Sequence, residues 1–184
     1  PAAVKRLDGP AHLDALLHDH AVDYGLWNKL YSATLLTPAM LDNDLAYNED
    51  LLANWQAFCA APGCAFCDWP GYHYRQHADS ASRRGLPAAL IRGSVPGQWP
   101  VLQQSANAFY YEKLVYLASM ILRRADIEPY RVQLGELRIG ITAGLNDRQL
   151  GCNPQLPFAI KVSAWATVHA PKLWRKVCRK YLKD

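Results

Sequence analysis

The chain has 184 residues and a mass of 20.6 kDa, enough for one compact domain with a core of its own. Half of it (51%) is hydrophobic, 20% is charged, and six Trp with ten Tyr add aromatic weight, a composition that excludes wholesale disorder. No run approaches the ~18 apolar residues that span a bilayer, and no secretory leader pattern opens the chain, so the expectation is a soluble cytoplasmic product without a membrane partner.

Lys and Arg number 20 against 16 Asp and Glu, a formal +4. The surplus is unevenly placed. Across residues 172–184 six cations (Lys172, Arg175, Lys176, Arg179, Lys180 and Lys183) meet one anion, a local +5 that leaves the first 171 residues at −1. A near-neutral body carrying one cationic element points to a single directed contact with phosphate, anionic lipid or an acidic protein.

In chain order, residues 1–10 read as an extended lead-in. Leu13, Leu16, Leu17, Tyr24, Trp27, Leu30 and Tyr31 lie near one helical stripe and predict a helix over 11–33. Thr37 before Pro38 has the form of an N-cap with Pro at the first helical position. Met40, Leu41, Leu45, Leu51, Leu52, Trp55 and Phe58 then continue a second helix, which pairs with the first as a hairpin. Ala61-Pro62-Gly63 ends that pattern, and 61–100 is the least regular stretch, punctuated by Gly and Pro over 85–100. Pro100 opens a long buried helix through Leu102, Phe109, Leu114, Leu117, Met120, Ile121 and Leu122, ending near Arg124.

Residues 132–142 and 158–168 are rich in β-branched side chains and bounded by Gly, Asn and Pro, which predicts two antiparallel strands joined by a long loop. Pro171 opens a last helix in which Leu173-Trp174, Val177-Cys178 and Tyr181-Leu182 form one stripe and the cations the other. The predicted fold is α+β and mainly helical: a helical hairpin, a long core helix, a small antiparallel sheet and a C-terminal basic amphipathic helix. All of it is read as a single domain over 1–184, with an irregular segment at 59–84.

Three of the five cysteines, Cys59, Cys64 and Cys67, fall within nine residues in the spacing C-x4-C-x2-C, followed by His73 and His77. In a reducing compartment such crowding points to metal before disulfides. A Cys-x2-Cys turn at Cys64 and Cys67 would aim two sulfurs at one Zn²⁺, with Cys59 and His73 or His77 closing a structural shell that stabilises the segment. A [2Fe–2S] cluster has the same local spacing but needs a fourth thiolate from distant Cys152 or Cys178 and is disfavoured. The zinc-deaminase pattern fails for want of H-x-E. The competing reading packs the three thiols as small apolar side chains. His12, His18 and His20 with Asp14 and Asp19 read as ordinary surface groups, since 18 and 20 face different sides of a helix.

Catalytic machinery is not legible. The chain lacks G-x-S-x-G, a Walker loop, G-x-G-x-x-G and H-E-x-x-H. Cys152 or Cys178 with His169 has no local nucleophile signature, and the acidic run Asp42, Asp44, Glu49 and Asp50 reads as the wet face of a helix. The balance favours binding over catalysis. Arg75, Arg83, Arg84 and Arg92, interleaved with Tyr72, His73, Tyr74 and Trp99, form a second basic and aromatic region, the combination that single-stranded nucleic acid meets by stacking and charge. The expectation is a nucleic-acid-binding accessory subunit, zinc-stabilised, inside a larger nucleoprotein assembly of plasmid, phage or defence type with other protein subunits. The alternatives are an assembly module whose cationic helix meets an acidic protein and a metal-dependent hydrolase.

Overall fold

A computed structural model describes residues 3–18, 22–40, 49–69, 71–72 and 100–181. The fold is mainly helical α+β, and the chain divides into two compact units, Pro1–Ala106 and Asn107–Asp184.

In the first unit β1 (Val4–Asp8) pairs antiparallel with β2 (Gly63–Cys67), with Leu7 opposite Cys64 and Asp8 opposite Gly63. The small antiparallel sheet is therefore formed by the lead-in and by part of the stretch read as irregular. Leu7 is the buried residue of β1, and this one apolar position fixes the face the ribbon turns inward. Gly63 is required by close approach: a Cβ there would stand 2.6 Å from the carbonyl oxygen of Leu7.

α1 (Ala11–His18) buries His12, Leu13, Leu16 and Leu17 and packs on α2 (Glu49–Ala60). The contact is sealed where His12 Nε2 donates to the carbonyl oxygen of Phe58 at 2.7 Å, so the imidazole satisfies one of the carbonyls that the end of a helix leaves open. α1 stops long before residue 33. Gly25 N donates to the Asp23 carboxylate at 2.6 Å, and Lys29 Nζ to the carbonyl oxygen of Gly25 at 2.6 Å. Such local bonds give the backbone an alternative to the helical ladder. Asn54, fully buried on α2, ties this loop down: its amide donates to the carbonyl oxygen of Tyr24 at 2.5 Å and its oxygen accepts from Tyr31 at 2.5 Å. Pro38 opens only a 3-10 turn, Pro38–Met40, and residues 41–48 of the predicted second helix lie outside the described residues.

α3 (Pro100–Arg123) is the predicted long helix. Its first residues belong to the first unit, where Ser105 donates to the Asp14 carboxylate. The rest opens the second unit, an all-helical array completed by α4 (Arg131–Asn146), α5 (Phe158–His169) and α6 (Pro171–Tyr181).

α4 and α5 correct the two strands predicted at 132–142 and 158–168. In α4 the buried residues are Leu134, Leu137, Ile141 and Gly144, a spacing of three and four that defines one helical face, whereas Val132 and Ile139 point to solvent. Tyr111 lies against Gly144, where a Cβ would meet its ring at 2.2 Å. In α5 the alternation carries little information, because apolar residues lie on both the even and the odd positions and alanines, strong helix formers, fill the intervals. Its hydroxyls are absorbed within the helix, Ser163 donating to the Ala159 carbonyl at 2.8 Å and Thr167 to the Ser163 carbonyl at 2.7 Å, as short polar side chains do inside a helix.

Candidate cationic interface

α6 is built as its sequence requires. Pro171 occupies the first turn, where its missing N–H costs nothing, and Arg179 and Lys180 sit in the last turn, at the negative end of the helix dipole. Cys178 is fully buried and Trp174 and Val177 are half-buried, while Lys172, Lys176, Arg179 and Lys180 are exposed. Burial pushes the Cys178 thiol up, against a hydrogen bond from Ser119 of α3 that pulls it back, so this sulfur is a neutral part of the α3–α6 packing.

Arg175 has a different role from the other cations. Half-buried, it donates through Nη2 to the carbonyl oxygens of Arg124 at 3.4 Å and Ala125 at 2.9 Å. These carbonyls belong to the turn that follows α3, and the guanidinium satisfies them. It anchors α6 and leaves the outward charge to Lys172, Lys176, Arg179 and Lys180. None of these four forms an ion pair with a described carboxylate. Lys180 instead stands 4.9 Å over the ring of Tyr181, which is itself exposed.

The charge surplus extends beyond α6. The second unit holds 13 Lys and Arg against 6 Asp and Glu, a net +7, and the first holds 7 against 10, a net −3. Lys183, Arg75, Arg83, Arg84 and Arg92 lie outside the described residues, as do His73 and His77.

The thiols are placed differently from the predicted turn. Cys59 lies in the last turn of α2, and Cys64 and Cys67 lie on β2. Side chains alternate along a strand, so residues three apart face opposite sides of the ribbon, and the Cys-x2-Cys turn that would aim both sulfurs at one ion is not formed. Cys59, exposed at the helix end yet with its thiol partly desolvated, is pushed up to about 11. Burial and then the Asp8 carboxylate raise Cys64. Among the described residues no three His, Cys, Asp or Glu side chains are grouped to hold a metal ion, and no helix is long and apolar enough to cross a membrane.

Period 2 along 158–168 hides the outward face of α5, which only a helical period brings together. On α5, Phe158, Val162, Trp165 and His169 are spaced by four, three and four, which is one helical stripe, and the first three are 80%, 43% and 55% exposed. His169 packs its ring on Trp165 with centroids 5.2 Å apart. The helical template applied to this segment would have exposed two apolar faces, one more than an ordinary surface helix has. In comparisons with known proteins, the chain matches no family model, no curated protein and no solved structure.

Proposed function

We propose that this chain is a nucleic-acid-binding subunit that works within a larger nucleoprotein assembly and that α6 carries the contact. The observation that supports this is the unpaired outward face of α6: Lys172, Lys176, Arg179 and Lys180 are exposed and meet no described carboxylate, on a unit whose net charge is +7. A surface helix kept only for solubility intersperses both signs. A helix whose outward charges are all cationic, anchored underneath by Arg175 and Cys178, is suited to a row of phosphates, where each neutralised phosphate releases counterions.

Salt titration of oligonucleotide binding tests the reading. Four contacts predict a slope of log K against log salt of about −3.6 for duplex and about −2.8 for single strands. Combined replacement of Lys172, Lys176, Arg179 and Lys180 by Ala is expected to abolish the salt-dependent component without loss of helical circular dichroism. Absence of any oligonucleotide binding at low salt removes the reading. Retention of a slope by the fourfold variant moves the contact away from α6.

A further inference from the structure

The geometry points to a stacking platform on α5, formed by Trp165 and Phe158, that takes the bases of single-stranded nucleic acid while α6 holds its phosphates. The inference rests on the nucleic-acid reading above and adds the form of nucleic acid and the surface that reads it.

The starting observation is that α5 turns an apolar stripe outward as well as an apolar side inward. Its inner side buries Ala164 and Thr167, and its outer side carries Phe158, Val162 and Trp165 into solvent at 80%, 43% and 55% exposure. Apolar side chains scattered singly over a surface need no explanation, but three aligned on one stripe of one helix mark a surface that is covered in use. The stripe is mostly rings. Phe158 and Trp165 are separated by seven residues, about 10 Å along the axis, and His169 at the end of the helix packs against Trp165, limiting the freedom of the indole. A ring already restrained gives up less entropy when a base stacks on it.

Charge selects the occupant. His169 ends α5 and Lys172 is the second residue of α6, so their Cα atoms are at most about 11 Å apart. His169, which packs on Trp165, is thus separated by only two residues from the first of four outward cations that lack a described carboxylate partner. Rings beside unpaired cations match a ligand that has flat apolar faces and regularly spaced anions at once. Unpaired bases on a phosphate backbone have both, whereas in a duplex the base faces are hidden in the stack. An uncharged partner helix would use the stripe and leave the cations without a role.

The test compares the intact wild-type chain with Trp165→Ala and Trp165→Phe on a single-stranded oligonucleotide of about 12 nucleotides and on a duplex of the same length. Trp165→Ala is expected to weaken single-strand binding roughly tenfold, with Trp165→Phe recovering most of it. Stacking releases no counterions, so the salt slope stays unchanged, and duplex binding stays within twofold. Circular dichroism and the thermal midpoint monitor the fold of each variant, and Phe158→Ala, at the opposite end of the stripe, gives a second reading with the same expectation. Equal weakening on single strand and duplex, or no change with Trp165→Ala while the α6 alanine variants still lose affinity, overturns the platform and leaves the nucleic-acid reading standing. Failure of the wild-type chain to bind either oligonucleotide removes both. Binding to vesicles of anionic phospholipid but to neither oligonucleotide, lost with Trp165→Ala, assigns the stripe to a lipid surface and also overturns the proposal.

Discussion

Gly63 has no room for a side chain, because the backbone of β1 crosses it at the Leu7 carbonyl. Gly63→Ala is expected to destabilise the first unit by about 1–3 kcal/mol, the usual cost of forcing an extra carbon into a packed site, read as a lower urea midpoint. Arg148 raises the opposite case. It holds φ +60 after α4, a conformation that costs a side-chain-bearing residue about 1–2 kcal/mol and glycine almost nothing. Arg148→Gly is therefore expected to raise the urea midpoint of the second unit slightly. Tyr31 brings in pH. Desolvation, and after it the Asp50 carboxylate, push its phenol from 10.0 up to about 12, so it stays a neutral donor to Asn54. A raised value in the folded protein means stability that is complete below pH 10 and is lost as pH rises through about 12. Stability measured by denaturant should hold at neutral pH and decline above pH 10, and Tyr31→Phe should soften that decline while lowering stability at neutral pH through the lost hydrogen bond.

At the scale of elements, α6 separates two kinds of cation that look alike in sequence. Arg175 is spent on the carbonyls beyond α3, whereas Lys176 beside it faces water. Arg175→Ala should cost about 1.5–3 kcal/mol, the range for hydrogen bonds from a charged group, and Lys176→Ala should stay within about 0.5 kcal/mol, both by chemical denaturation. The same pair should reverse on binding, with Lys176→Ala lowering the salt slope by about one contact's worth. α6 itself was legible because a near-perfect segregation of cations and apolar residues has one helical solution. α5 was not, because a segment with apolar residues on both even and odd positions fits period 2 and period 3.6 alike, and the deciding facts were which residues found neighbours and which did not. The β1–β2 ribbon was missed for a related reason: each strand has only five residues, and a strand that short draws its stability from the partner that pairs with it, here some sixty residues away.

For the molecule as a whole, the division at Ala106 separates an acidic unit from a basic one. Isolated cations on the acidic unit should then matter little for polyanion binding. Lys5 and Arg6, both exposed on β1, provide the control: Lys5→Ala with Arg6→Ala should leave oligonucleotide affinity within twofold and the salt slope unchanged, while Lys172→Ala with Lys176→Ala should reduce the slope by about 1.4–1.8. Fluorescence anisotropy across a salt series reads both. His73 and His77 lie outside the described residues, so at this scale the thiols alone bear on the candidate metal site. C-x4-C-x2-C fixes how far apart the sulfurs are along the chain, but the pairing of Cys64 with Leu7 and Cys67 with Val4 fixes where they point, and a strand points them apart.

The sequence by itself determined the mainly helical class, the long helix from Pro100, and the basic amphipathic helix after Pro171, because capping, length and charge segregation are local properties that no distant contact has to complete. Tertiary structure alone decided the pairing of residues 4–8 with 63–67, the helical state of 132–142 and 158–168, the anchoring role of Arg175 and the outward aromatic stripe of α5. Each of these depends on which surface is buried against another, and burial belongs to the packed chain, not to any window of its residues.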